Sequence, residues 1–476
     1  GASNTLVGYG TGTRLSSGTS NTYMGASAGA GNHTGAGNVY IGYESGKGVN
    51  DNANSNNVGI GYRALYSVTT GHDSIAIGYE ALRSYLGGDN NIAIGYQAGY
   101  SLTTARYNVL IGDHAGYSLT STSDSNENVM IGNNAGRNAD AATNAAHYNV
   151  YVGSGAGYYM DDGDSNVYIG REAGKGSGTG NNATQNVIVG YQSGRDITTG
   201  DSNVLLGYQA GDNASTLGNS VGIGYQAMGG ATGSLLTGPN ATVAIGYQAW
   251  GYADGNNGNG VYIGHMAGAH NTGGGATVIG YRALENASGS YQNSNVAIGS
   301  NAMKDYCGNN AQYCIAIGNN ALQGNGAQGD GGSAAYNVAI GHTNLQNIST
   351  GGNNVAIGGN SVYTALTTGY SNIGIGRGAG QNATTTNHLI LIGADAGNAL
   401  TGTGPAGSIA IGNLALATHT TGARNIAIGW EAMHDTNAGS TAQGSSDNIF
   451  IGYSAGGGTW ADAASNYNVG IGNYVM

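Results

Sequence analysis

The sequence predicts an all-β protein built as a single parallel β-solenoid, a β-roll of about 26 coils of 17–20 residues each. Three observations predict it: a glycine-dominated composition, one short unit that recurs from end to end, and an apolar spacing within the unit that fits strands and corners. Of 476 residues, 92 are Gly, 33 are Tyr, one is Phe and only 8% are charged. Glycine is thus about three times, and charge about a third, of their usual shares, which demands a periodic explanation. At 39% hydrophobic the chain is too apolar for a disordered linker. A net charge of −12 argues against a phosphate-tracking surface, so nucleic acid is not an expected partner. No run approaches the ~18 apolar residues of a membrane helix, so no membrane insertion by this chain is expected.

The unit reads Asn-Ile-Ala-Ile-Gly-Tyr-Gln-Ala-Gly from Asn91 to Gly99. Its first glycine serves as an anchor and recurs from Gly8 to Gly472, among others at Gly95, Gly112, Gly299, Gly358 and Gly429. The spacing runs from about 16 to 23 residues and is most often 17, with no copy missing, so residues 1–476 read as one continuous domain.

Each position in the unit has a physical reading. Residues three and one before the anchor are aliphatic, as in Val109 and Ile111. Lying two apart, they share one strand face, which is expected to be the core face. The residue between them is usually Ala, Gly or Tyr and is expected to point the other way. The anchor glycine marks a corner that needs positive φ or close backbone approach. Ala three residues later, as in Ala98, begins a second short strand. A variable loop such as 118–124 closes the coil. Asn stands four before the anchor in most copies, including Asn91 and Asn108. Stacked coils would put these amides about 4.8 Å apart in a ladder, or each amide caps its own turn. Because the small residues face away from the expected core, that second face should meet another chain, giving an intertwined or side-by-side homotrimer.

The Asn/Ser-Val-Ala-Ile-Gly copies, close at Asn91–Gly95, Asn295–Gly299, Asn337–Gly341, Asn354–Gly358 and Asn425–Gly429, resemble the head repeats of trimeric autotransporter adhesins of the YadA type. The longer Gly-Tyr-Gln-Ala-Gly form resembles bacterial and phage tail-fibre-type β-roll repeats. Both resemblances imply a trimer, and the adhesin heads imply a left-handed roll. The coils here are longer than the adhesin family's, and neither heptad stalk nor anchor barrel accompanies them.

Chemistry is sparse. Histidines such as His72, His114, His265, His342 and His434 fall at unrelated phases and read as surface or loop residues. Asp161, Asp162 and Asp164 offer hard oxygen ligands, making them weak calcium candidates without a calcium motif. No other cofactor is expected. Cys307 and Cys314 lie seven apart in one inter-anchor segment and are expected to form a disulfide in an oxidising setting. Tyr follows the anchor in many coils, at Tyr43, Tyr62, Tyr79 and Tyr96 for example. Such residues either form a strip that binds sugar rings or pack at a corner with the hydroxyl outward.

No catalytic constellation is expected. The reading that follows is a structural and adhesive extracellular fibre protein, a trimeric stiff rod on a cell surface or in a filament. Open solenoid ends would pair head to tail, and a surface glycan or protein is the expected receptor. A phage or virion tail-fibre shaft is the alternative. An ice-binding solenoid is a minor one, since Thr69, Thr198, Thr367 and Thr420 sit in loops of unequal length.

Overall fold

The computed structural model describes all residues except 1, 50, 51, 121–125, 139–145, 179, 230–240, 253–257, 272, 273, 287–293, 307–310, 325–333, 360, 361, 435–443, 459, 461–463 and 476. The chain forms two compact units, Gly1–Ala241 and Thr242–Met476, and each is a parallel β-solenoid. Among the described residues the first holds 13 three-residue strands, from β1 (Thr5–Val7) to β13 (Val221–Ile223). The second holds another 13, from β14 (Val243–Ile245) to β26 (Val469–Ile471). Within each unit every strand pairs in parallel with that of the next coil, and the register never slips. Ile92, Ala93 and Ile94 face Val109, Leu110 and Ile111, and the same phase meets itself throughout. No helix among the described residues is long and apolar enough to cross a membrane.

The strand faces are the reverse of the expectation. Val109 and Ile111 are half-buried on the outside of the coil, whereas Leu110 between them is fully buried. The same outer–inner–outer pattern recurs at Val167–Ile169 and Val355–Ile357. Alternation fixes the rest: Asn91 and Ala93 share a parity, and both are buried. The lumen of so short a coil admits one side chain from each three-residue strand, so the small or aromatic middle residue enters it and the aliphatic pair stays outside.

The second expected strand is also absent among the described residues. Around Ala98 the chain runs as turns in which Gln97 (φ 51°) and Gly99 (φ 60°) are left-handed. Coils still hydrogen-bond here, with Gly99 N donating to Ala115 O at 2.9 Å and Gln97 N to Tyr79 O at 2.8 Å. Left-handed residues cost roughly 1–2 kcal/mol each away from glycine, so these inter-coil bonds are what holds Glu80, Leu82 and Gln97 in place.

The core is therefore three interior rows: the strand middle (Ala93, Leu110), the Ala three after the anchor (Ala98, Ala115) and a loop residue seven after it (Leu102, Leu119). Beside them runs the Asn row. Asn128 Nδ2 donates to Asn108 Oδ1 at 3.1 Å in the preceding coil and to Ala146 O at 2.8 Å. Its own Oδ1 accepts the backbone N of Asn149 at 3.1 Å. Of the two roles open to these amides, the structure adopts the ladder, and uses its second donor to close the loop. The fully buried amides are thereby satisfied.

The anchor glycine answers to both reasons given for it. Gly95 has φ +144°, and a Cβ there would stand 2.3 Å from the carbonyl oxygen of Gly112, the next anchor. Gly299, Gly358 and Gly429 repeat this contact with their successors.

Candidate functional surfaces

Three exposed surfaces arise from the coil: the outer strand face, the tyrosines after the anchor, and the corner five residues after it. The strand face carries two columns of mostly Val and Ile along the 13 strands of each unit, with Thr5, Thr22, Met24, Leu206 and Thr277 as exceptions. Its members are half-buried or exposed, as at Ile94, Ile169 and Ile373. Thirteen strands at about 4.8 Å and a width of about 10 Å give an apolar strip of roughly 600 Å² per unit, at the upper end for the largest patch on a monomer.

The tyrosines stack on one another. Tyr43, Tyr62, Tyr79 and Tyr96 form a column with ring centroids 5.3, 5.0 and 5.1 Å apart and planes within 12°. Tyr191, Tyr208 and Tyr225 form a second, and in the other unit His265 sits between Tyr247 and Tyr281. His265 is thus in phase with the tyrosines, which its position directly after Gly264 could have signalled. Stacking consumes the ring faces and leaves edges and hydroxyls outward, so within a column no ring face is free for a sugar.

Five residues after the anchor, the first unit interleaves cations and aromatics: Lys47, Tyr66, Arg83, Tyr100, Tyr117, Arg137 and Tyr158. The Arg83 guanidinium lies 5.6 Å from the Tyr66 ring and 5.3 Å from that of Tyr100, and Arg137 lies 5.8 and 5.9 Å from Tyr117 and Tyr158. Acids two after the anchor pair with these cations across one turn, Glu44 with Lys47 at 2.7 Å and Glu80 with Arg83 at 3.2 Å. The Lys47 and Arg63 charges and hydrogen bonds hold Glu44 below the usual carboxylate range despite its desolvation.

The three calcium candidates do not converge. Asp161 accepts from Gly180 N in the following coil, while Asp164 Oδ1 accepts from His147 N in the preceding one at 2.7 Å. Among the described residues no cluster of three or more His, Cys, Asp or Glu is placed to hold a metal. Cys314 is a free, buried thiol that occupies the Asn position, with Sγ 3.3 Å from Ala334 O, and burial pushes its pKa up to about 11. Its expected partner Cys307 lies outside the described residues. Three of the loop threonines, all half-buried, hydrogen-bond along the stack to the next coil. Thr198 Oγ1 donates to Ser215 O at 3.0 Å, Thr367 Oγ1 to Thr384 O at 3.2 Å, and Thr69 Oγ1 to Leu86 O.

One histidine departs from the surface reading. His419 is fully buried, with Nε2 3.0 Å from Asn425 Nδ2, and burial pushes its pKa down to about 4. It stands seven after Gly412, the interior loop position filled by Leu102 and Leu119 elsewhere, and that phase was the signal for it.

No protein-family model matches this chain, and no curated protein matches it.

Proposed function

We propose that this chain is a structural and adhesive fibre protein that works outside the cell as a homotrimer. The outer Val/Ile face is the observation that carries the reading. It is uncharged along every strand and apolar apart from Thr5, Thr22 and Thr277. The expected inter-chain face of small residues turns inward, and this aliphatic strip takes its place as the surface to be covered. At roughly 600 Å² per unit it approaches one partner's share of a standard interface, about 800 Å². A neighbour whose side chains repeat with the same in-register period is a second and third copy of the chain, interdigitating dry columns as stacked sheets do. The resemblance to trimeric adhesin heads and tail-fibre repeats supports the same stoichiometry. Low charge, two prolines and coil-to-coil hydrogen bonds suit a stiff, protease-resistant shaft. The tyrosine edges and variable loops remain for attachment. Cryo-electron microscopy of the purified chain tests this: particles of three chains about a threefold axis are expected, and monodisperse single chains overturn it.

A further inference from the structure

In the first unit the side chains one and two after the anchor are small at Ser154 and Gly155, as they are at Ala26 and Ser27. The flanking coils place Asn133 and Asn134, and Arg171 and Glu172, at these two phases. Here a small side chain and none at all leave an open notch of about 300 Å³, the low end for small-molecule sites. A Cβ built on Gly155 would find only Glu172 Cγ, at 3.5 Å. Tyr158 and Tyr159 line it, their rings 4.5 Å apart and edge to face.

The polar lining has an unusual balance for this chain. Arg171 is exposed, leans over the Tyr191 ring at 5.7 Å and holds no ion pair among the described residues. Lys175 stands 3.5 Å from Glu172, and Gln192 donates to Glu172 at 2.7 Å, which, ahead of the nearby cations, holds this carboxylate ionised. Arg137 reaches the Tyr158 hydroxyl at 3.0 Å. Two cations, Arg171 and Lys175, thus line one cavity with a single acid, Glu172, in a protein of net charge −12. Asn134, also in the lining, has a buried Oδ1 with no partner. Buried acceptors are rarely left so.

We propose that this notch binds a single sugar ring carrying a carboxylate. The ring's C–H face rests on Tyr158 and Tyr159, and Arg171 takes the carboxylate as a planar two-donor fork. Glu172 accepts ring hydroxyls. The inference extends the adhesive half of the proposed function without resting on the trimer, because every group named lies on one chain.

Ligand-observed NMR titration of the full chain at low ionic strength tests it, with glucuronate, methyl glucuronide and neutral methyl glucoside as probes. Glucuronate is expected to bind about tenfold or more tightly than the glucoside, the scale of one charge-assisted hydrogen bond. Equal affinity for methyl glucuronide identifies the end of an acidic glycan as the source, and weaker affinity a free sugar acid. Arg171→Ala should abolish the preference for the acid. Ser154→Trp, at an exposed position of ordinary φ, should fill the notch and abolish binding of all three. Equal binding of acid and neutral sugar, binding unchanged by Ser154→Trp, or no binding at all overturns the proposal, whatever the oligomeric state.

Discussion

Gly211 is small because Leu205 is large. A Cβ at Gly211 would stand 2.6 Å from Leu205 Cδ1, and the relation recurs in most coils, with Ala93 and Gly99, and Gly374 and Gly380, as exceptions. Tyr40, Tyr168 and Phe450 in the strand middle face Gly46, Gly174 and Gly456 four after the anchor. Where the strand middle is Ala76, Ala297 or Gly222, that later position is Leu82, Met303 or Met228. Such coils keep the lumen filled by trading volume between two positions, whereas at Gly99 the side chains of Leu82 and Leu110 from neighbouring coils fill the space. Leu82 adopts φ 49° there, so the left-handed backbone accepts leucine. Leu205→Ala should therefore cost about 2–5 kcal/mol and Gly211→Leu should clash, while the double variant, recreating Ala76 with Leu82, should recover most of the loss. Thermal unfolding of the three variants reads the coupling, and additive losses would refute the trade. His419 makes a second prediction at this scale. Its pKa falls from 6.5 to about 4 on burial, so the folded state prefers the neutral ring. The unfolded chain binds the extra proton between these values. Stability is then complete above about pH 6.5 and falls by about 2–3 kcal/mol as pH drops towards 4. A His419→Leu variant, matching Leu102, should lose this acid sensitivity in denaturant titrations at pH 7 and 4.5.

At the scale of the coil, two features hold neighbours in register: the anchor corner and the Asn row. Gly95→Ala would place a methyl 2.3 Å from the Gly112 carbonyl at a φ that only glycine adopts freely, so the coil must separate from its neighbour. Asn128→Ala leaves the Ala146 carbonyl and the Asn149 amide without their partners, a loss of about 2–4 kcal/mol. Asn128→Ser should be milder, because Ser74 already serves one coil by accepting Asn91 N at 3.2 Å. Hydrogen exchange should show opening localised to the coils around residue 128, and a uniform change would refute local coupling. Much of this was legible. The repeat and Gly95 as a corner follow from spacing alone, whereas spacing left Asn91 open between a ladder rung and a turn cap, and the structure makes it a rung. The inner face was misread because Val109 and Ile111 are the most apolar residues of the unit, although Asn91 and Ala93 share the other parity and both belong inside. Leu102 and His419 were hidden because their row lies within loops of unequal length. The left-handed turns at Gln97 and Leu82 leave no compositional mark, since inter-coil hydrogen bonds rather than residue type hold them.

For the whole molecule, the outer aliphatic columns decide between a lone chain and an assembly. Replacing Ile77, Ile94 and Ile111 by Thr keeps β-branching, and Thr277 already occupies a strand flank within the second unit, so the coils themselves should tolerate the change. Those side chains are only half-buried within one chain, so coil packing loses little, whereas an interface that desolvates them loses most of its gain along three strands. The expected result is a shift from three chains per particle to one at low micromolar concentration, with the unfolding midpoint of dilute protein nearly unchanged. Sedimentation and denaturant unfolding on the same samples separate the two effects. A variant that stays trimeric places the contact on another face, and one that unfolds assigns the columns to the stability of the coil itself.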